Sequence, residues 1–340
     1  MKNKDCPQGF VEDYPKLLGQ ELEIKYKLSH RQVERWARSL HLKKSPEFWL
    51  KRNSSFKKIQ KEETEMNLDK TKTEELLEEV SKRGFISTKR EILIDRHYKL
   101  PRKLKPFKIG VVSDTHLGST QQQITLLKES YKEFKEEGIK MVFHAGDVVE
   151  GDGKLFKGQI YEMFQHGSDA MIEYTIENYP KVDGITTYMI GGSHDYSFFK
   201  SGGTDVLQAI AKKRSDIRYL GMFGAYFNIG GIVIYIMHGD GGGAYARSYK
   251  MQKIIEQFPP DKKPNILLLG HYHVNDMLPS YRNVVGCQLS CYQTQTHYLR
   301  AKGLGPDIGH LILEIFPDTK GLSHVKSNWK TYYNPIEGDF

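Results

Sequence analysis

Five short blocks stand in one order along a chain of 340 residues: Asp114-Thr115-His116, Gly146-Asp147, Gly192-Ser193-His194-Asp195, His238-Gly239 and Gly270-His271-Tyr272-His273. Together they collect carboxylates and imidazoles from five separate segments. Such a collection is how a chain builds a site for two divalent ions, and the chemistry such a site serves is in-line attack on phosphate esters. Mixed imidazole and carboxylate donors suit Mn, Fe, Zn or Ni, whereas Mg and Ca prefer oxygen donors alone. Gly146, Gly192 and Gly270 allow tight turns to bring these side chains close without a Cβ clash.

The elements that must position the blocks are legible as β/α alternation from Pro106 onward. Strands are expected at 107–113, 140–145, 186–190, 226–229, 232–237 and 265–269, and helices at 121–137, 205–213 and 244–258. Further strands near 284–290 and 309–316 are expected to complete a second sheet. Every block lies just after an expected strand. In open α/β sheets, ligands bind at the carboxyl ends of strands, so the five loops can converge on one crevice.

Over residues 106–316 the blocks, in this order and at these spacings, resemble the calcineurin-like metallophosphoesterases, and among them the phage and bacterial DNA-repair-type nucleases. The resemblance implies an α/β (α+β) fold, a four-layer αββα sandwich. It implies that Asp147 bridges two ions, that Asp114, His116 and His273 complete the first, and that Ser193, His238 and His271 complete the second. The expected ion is Mn2+, with Fe, Zn or Ni as alternatives. His194 would protonate the leaving oxygen while a metal-bridging hydroxide attacks, and Asp195 would orient the His194 ring or support its charge. Ser193 departs from the family, which has an asparagine there. A serine hydroxyl reaches less far than an amide carbonyl and is a poorer ligand, so a weakened second site is expected.

The basic charge is confined to the N-terminal third. Residues 1–105 hold 26 Lys and Arg against 17 Asp and Glu, a balance of +9, and residues 106–340 hold 24 against 25. A positive module joined to a near-neutral catalytic one suggests delivery to a polyanion, DNA above all. Within it, residues 21–42 fit a helix-turn-helix: Leu22, Tyr26, Leu28, Val33, Trp36 and Leu40 can pack two short helices, and Ser29 suits the N-cap of the second. Arg31, Gln32, Arg35 and Arg38 then face outward as the candidate DNA contacts. Glu23 and Lys27 stand where such units place a small residue and a turn glycine. A polar stretch at 44–70, an amphipathic helix at 73–82 closed by Gly84, and a strand at 91–98 would complete a winged-helix-like arrangement. The expected division is a DNA-binding domain at 1–100, a linker at 101–106 and the catalytic domain at 107–340.

Three cysteines without CxxC spacing imply neither a disulfide framework nor a zinc knuckle, and Cys287 and Cys291 read as core thiols. The longest apolar run, Ile232 to Met237, is far below the ~20 residues of a membrane span. With no apolar segment after the charged start, a cytoplasmic protein of a bacterium or phage-infected cell is expected. The histidines outside the blocks, among them His144 and His310, are expected to be structural; His166 and Tyr161 are candidates to face substrate. Three functions are open: a metal-dependent DNA phosphodiesterase, a phosphomonoesterase acting on a phosphoprotein or nucleotide, and a DNA-binding protein whose metal site is weakened by Ser193. The N-terminal charge favours the first.

Overall fold

The computed structural model describes residues 7–17, 19–40, 42–43, 96–100 and 105–340, which fall into two compact units, Met1–Ser87 and Thr88–Phe340. The polar stretch at 44–70, the helix expected at 73–82, residues 91–95 of the strand expected at 91–98 and residues 101–104 of the expected linker lie outside the described residues.

In the first unit, helices α1 (Phe10–Asp13), α2 (Gly19–Tyr26) and α3 (His30–Ser39) pack around Phe10, Leu22 and Val33. The turn between α2 and α3 passes through Lys27, whose φ of 53° lies in the left-handed region. A lysine therefore occupies the conformation for which glycine is suited, at a cost of roughly 1–2 kcal/mol. Gln32 reaches back so that its Oε1 accepts the Ser29 backbone N–H at 2.8 Å, one half of a capping box.

The second unit holds two six-stranded sheets. Its strands are β1 (Arg96–Leu100), β2 (Phe107–Val112), β3 (Met141–His144), β4 (Thr186–Gly191), β5 (Ile217–Met222), β6 (Gly224–Ile229), β7 (Ile232–His238), β8 (Ile266–Gly270), β9 (Asp276–Tyr281), β10 (Val284–Gln288), β11 (Gly309–Asp318) and β12 (Gly321–Thr331). One sheet runs β12-β11-β2-β3-β4-β5 and the other β1-β6-β7-β8-β10-β9.

Their inner faces meet in one core, where Ile109, Phe143 and Ile190 of the first sheet join Phe227, Ile234 and Leu268 of the second. The outer face of the first sheet is covered by α4 (Ile124–Glu136), α5 (Ser168–Asn178) and α7 (Val206–Lys213), with α6 (Ser193–Gly202) preceding α7. The outer face of the second is covered by α8 (Tyr249–Gln257), whose Met251 and Ile255 pack on Leu267 and Leu269. Four layers, αββα, result. Strand β7 shows how the sequence dictates this: Ile232, Ile234 and Ile236 point into the inter-sheet core, and Tyr235 and Met237 point towards α8, the period of two of a strand.

Two expectations are corrected. Strand β11 does not join β10 in a second sheet; it pairs antiparallel with β2, Leu313 opposite Ile109, because its alternate apolar residues fill the same inter-sheet core. And the segment at 96–100 does not close the N-terminal domain as a wing. It is strand β1, paired parallel with β6, with Tyr98 and Leu100 packed on the inter-sheet core and His97 stacked on Tyr226 at 4.7 Å. The catalytic unit therefore begins before residue 100.

Candidate metal centre

The parallel strands β2, β3 and β4 of one sheet and β7 and β8 of the other deliver all five blocks from their carboxyl ends. Backbone bonds tie the loops together: Asp114 N donates to Gly146 O at 3.0 Å, His116 N to Asp147 O at 3.1 Å, and Tyr292 N to Asp114 O at 2.9 Å. The turns are tight. Asp114, His116, Asp147, His271 and His273 all have positive φ, from 46° to 91°, a conformation rare outside glycine and best tolerated by Asp, Asn and His. Strain of this kind persists only where surrounding structure holds it. The glycines act as expected: a Cβ on Gly192 would lie 2.2 Å from Asp147 Oδ1, and one on Gly146 would lie 2.6 Å from His238 Nδ1.

The side chains gather into groups of ligand spacing: Asp114, His116 and His273; Asp147, His238 and His271; and, linking them, His116, Asp147 and His194. His273 Nε2 lies 3.1 Å from His116 Nε2 and 3.4 Å from Asp114 Oδ1. His238 Nε2 lies 3.0 Å from Asp147 Oδ2 and 3.2 Å from His271 Nδ1. The outer nitrogen of three rings is anchored: His116 Nδ1 on Glu150 Oε2 at 3.0 Å, His238 Nδ1 on Ala145 O at 2.8 Å, and His271 Nε2 on Gly241 O at 2.8 Å. Each anchor takes the N–H and turns the other nitrogen's lone pair inward, as the partners of metal-binding histidines do. Pairs of imidazole nitrogens that converge at 3.1–3.2 Å beside carboxylates fit a cation between them.

The charges agree. Asp114, Asp147, His116 and His238 are at most 2% exposed. Burial opposes charge at Asp147, but the imidazoles led by His238 hold its carboxyl well below the usual range. Burial would lower His238 too, and the Asp147 carboxylate instead raises it to about 9. His273 is likewise raised against its burial, with Cys291 and Asp114 beside it. His116 and His271 are lowered, chiefly by burial. The carboxylates thus hold protons on the facing rings, His238 above all, and divalent ions would displace them.

Ser193 opens α6, and its Oγ donates to Asp147 Oδ2 at 3.2 Å, so the hydroxyl stands at the second group as a hydrogen-bond donor to its carboxylate. The backbone N–H of His194 donates to Asp147 Oδ1 at 2.8 Å, and the His194 ring presents Nδ1 to Glu150 O at 2.6 Å. Burial lowers His194, but Asp147 and Glu150 outweigh it and the ring is raised.

Asp195 does not touch the His194 ring. Neighbours on a helix point in different directions, and the Asp195 carboxylate, fully buried, accepts from the backbone N–H groups of Gly192, Val148 and Val149 at 2.8–3.2 Å. It staples the second block to the third. Burial, then the Asp147 charge, pushes it up to about 7.

The orienting carboxylate is Glu150, which the sequence reading passed over. It is 1% exposed and also accepts from Gln293 Nε2 at 2.8 Å and Gln159 Nε2 at 3.3 Å. Its place three residues after Asp147 was the available signal; nothing in the sequence marks Gln293. His144 is structural: it accepts from Gly146 N at 3.2 Å and meets Thr115 Oγ1 at 3.0 Å. Tyr161 and His166 are exposed and do not line the cleft. That cleft, about 690 Å³, contains His116, Asp147, Ser193, His194, His271 and His273 in its lining.

In the first unit Arg31, Gln32, Arg35 and Arg38 are all exposed on α3, but Arg38 pairs with Glu34 at 3.0 Å and Gln32 is engaged with Ser29. Arg31 and Arg35 are the side chains of this face for which the described residues show no such pairing.

The fold resembles several solved structures at low identity. A predicted phosphoesterase from Streptococcus pneumoniae TIGR4 is 12% identical, with a TM-score of 0.33, over 67% of this chain and 100% of its own. Vps29 complexed with zinc from Entamoeba histolytica is 14% identical, TM-score 0.33, over 66% and 99%. Vps29 from Chaetomium thermophilum is 12% identical, TM-score 0.32, over 67% and 98%. Comparison with curated proteins found no match. The family model of the calcineurin-like phosphoesterases matches residues 107–310, the stretch that carries all five blocks, and the chain belongs to that family.

Proposed function

We propose that this phosphoesterase is a Mn2+-dependent phosphodiesterase acting on DNA. The observation that carries the reading is the basic N-terminal stretch: residues 1–105 carry a balance of +9, of which +4 lies in the first unit, Met1–Ser87, and +5 in residues 88–105 at the start of the catalytic unit, beside −1 over residues 106–340. A phosphatase for small molecules has no use for a basic module, whereas a polyanion is drawn to one. The exposed Arg31 and Arg35 on α3 belong to that module.

Asp114, His116 and His273 would hold one ion, and Asp147, His238 and His271, with the Ser193 hydroxyl nearby, the other. When bound, two such ions supply Lewis-acid charge to the phosphate oxygens and a nucleophile at neutral pH. The protein's own contribution begins with orientation, since the anchors on Glu150, Ala145 and Gly241 fix which nitrogen of each ring faces inward. His194 then handles the proton. With Nδ1 held on the Glu150 carbonyl, Nε2 is the nitrogen left to carry a proton to the departing oxygen, and the Asp147 and Glu150 carboxylates raise the ring in favour of its protonated form.

The test is a substrate panel with purified full-length protein: bis(p-nitrophenyl) phosphate, p-nitrophenyl phosphate and DNA, each with and without Mn2+. The expected result is chelator-sensitive hydrolysis of the diester and of DNA, the DNA reaction weakening steeply with salt. Hydrolysis of the monoester alone would overturn the reading in favour of a phosphatase.

A further inference from the structure

Two segments in the lining of the cleft carry aromatic rings that the fold does not use. The first follows β7. After Gly241, Gly242 and Gly243 comes Tyr245, at 107% relative exposure, with Arg247 and Lys250 behind it in the same lining. The second joins Phe156 to Tyr298, their rings stacked at 4.3 Å and 27°, with Tyr298 still 42% exposed. Lys302 stands 5.8 Å from the Tyr298 ring centroid.

A ring wholly in solvent is stabilised by nothing in the protein, although burying it would be favourable. One such ring, Tyr245, and a half-exposed stack, Phe156–Tyr298, in the lining of a phosphoesterase cleft, each with cations close by, match the chemistry of bases and phosphates together. Aromatic faces stack on bases, and lysine and arginine follow the backbone. A small ligand would be enclosed over most of its surface, and Tyr245 encloses nothing. A duplex keeps its bases stacked on each other, with only their edges in the grooves. A strand without a partner strand can splay its bases onto these rings while its phosphate reaches the buried ligands below.

We infer that Tyr245 and the Phe156–Tyr298 stack are base-stacking platforms on which an unpaired DNA strand is laid across the metal centre, with Arg247 and Lys250 on its phosphates. The inference rests on the phosphodiesterase reading and names its substrate class as single-stranded DNA.

The test uses full-length protein with Mn2+, a single-stranded oligodeoxynucleotide, its blunt duplex and bis(p-nitrophenyl) phosphate. Tyr245→Ala and Tyr298→Ala should each lower kcat/KM on the single strand roughly 5- to 100-fold, the range set by one lost base–aromatic stack. Both should leave the small diester within about twofold, and Tyr245→Phe and Tyr298→Phe should retain the wild-type rate. Equal losses on every substrate, no loss on the single strand, or a duplex cleaved as fast as the single strand would overturn the inference. A readout independent of turnover is photocrosslinking of an oligodeoxynucleotide bearing 5-iodouracil, with EDTA present and the adduct mapped by mass spectrometry. Adducts at Tyr245 or Tyr298 support the platforms, and adducts confined to other residues contradict them. Failure of the phosphodiesterase reading would instead show as absent hydrolysis of the small diester by the wild type.

Discussion

Replacing Glu150 by alanine isolates the part of the site that is invisible in the metal ligands themselves. The carboxylate is 1% exposed and receives the His116 Nδ1–H at 3.0 Å and the Gln293 amide at 2.8 Å. Removing it orphans two buried donors, each costing roughly 1–3 kcal/mol, and frees the His116 ring to turn. Loss of such an anchor lowers metal affinity about 10- to 100-fold. The hydrogen bond that holds His194 runs to the Glu150 backbone carbonyl, at 2.6 Å, so the substitution leaves it in place. The expected outcome is that the Mn2+ concentration for half-maximal hydrolysis of bis(p-nitrophenyl) phosphate rises about 10- to 100-fold, while turnover at saturating Mn2+ falls by a smaller factor, roughly 3- to 10-fold, because one of the two carboxylates that raise the His194 ring is gone. Glu150→Gln should fall between, because its amide oxygen can still accept from His116 while its NH2 opposes the Gln159 amide. An unchanged Mn2+ requirement would refute the reasoning, since Glu150 would then not anchor His116.

Ser193→Asn should tighten the second ion, because an amide carbonyl reaches where the hydroxyl now only donates to Asp147; activity at low Mn2+ should rise, and superimposable Mn2+ curves for both forms would show the serine to be sufficient. Metal loading should release protons. His238 is raised to about 9, so at pH 7 it carries a proton that a metal must displace, and affinity falls as pH drops below that value; His273 is raised in the same direction. Titration calorimetry at pH 7 in buffers of different ionisation enthalpy should therefore report release of about one proton or more per fully loaded chain, and a value of zero would contradict the charge assignment. Lys27→Gly relieves a left-handed lysine and should stabilise the α2–α3 pair by about 0.5–1 kcal/mol after the added freedom of the unfolded chain is subtracted. Hydrogen exchange of residues 19–40 should slow a few-fold, and unchanged or faster exchange would count against it.

The Asp and His residues of the candidate metal centre were legible because that chemistry restricts them to these types, and because each follows an apolar strand whose pattern is clear. The strands β2, β3 and β8 are short apolar runs bounded by turns, and they stand where expected. What could not be read were partners fixed by three-dimensional neighbours. Asp195 looks like a partner for His194 in the sequence, yet the helix turns it away to three backbone N–H groups. Glu150, three residues past the turn at Asp147, takes the role through its carbonyl, while its side chain holds His116. Strand β1 likewise read as the end of a separate domain, because its pattern says that it is a strand without saying which sheet it joins. β5, β9 and β12 were missed; in β12 most side chains remain solvent-exposed, so the apolar alternation that marks a half-buried strand is weak.

The central claim is a pair of ions held across a shared Asp147, and counting metal tests it most directly. Full-length protein loaded with Mn2+, freed of excess ion and analysed by plasma emission should hold two ions per chain, and Asp147→Ala should hold less than one, because Asp147 belongs to the second group of ligands and stands beside His116 of the first. One ion in the wild type, or two retained after Asp147→Ala, would contradict the account.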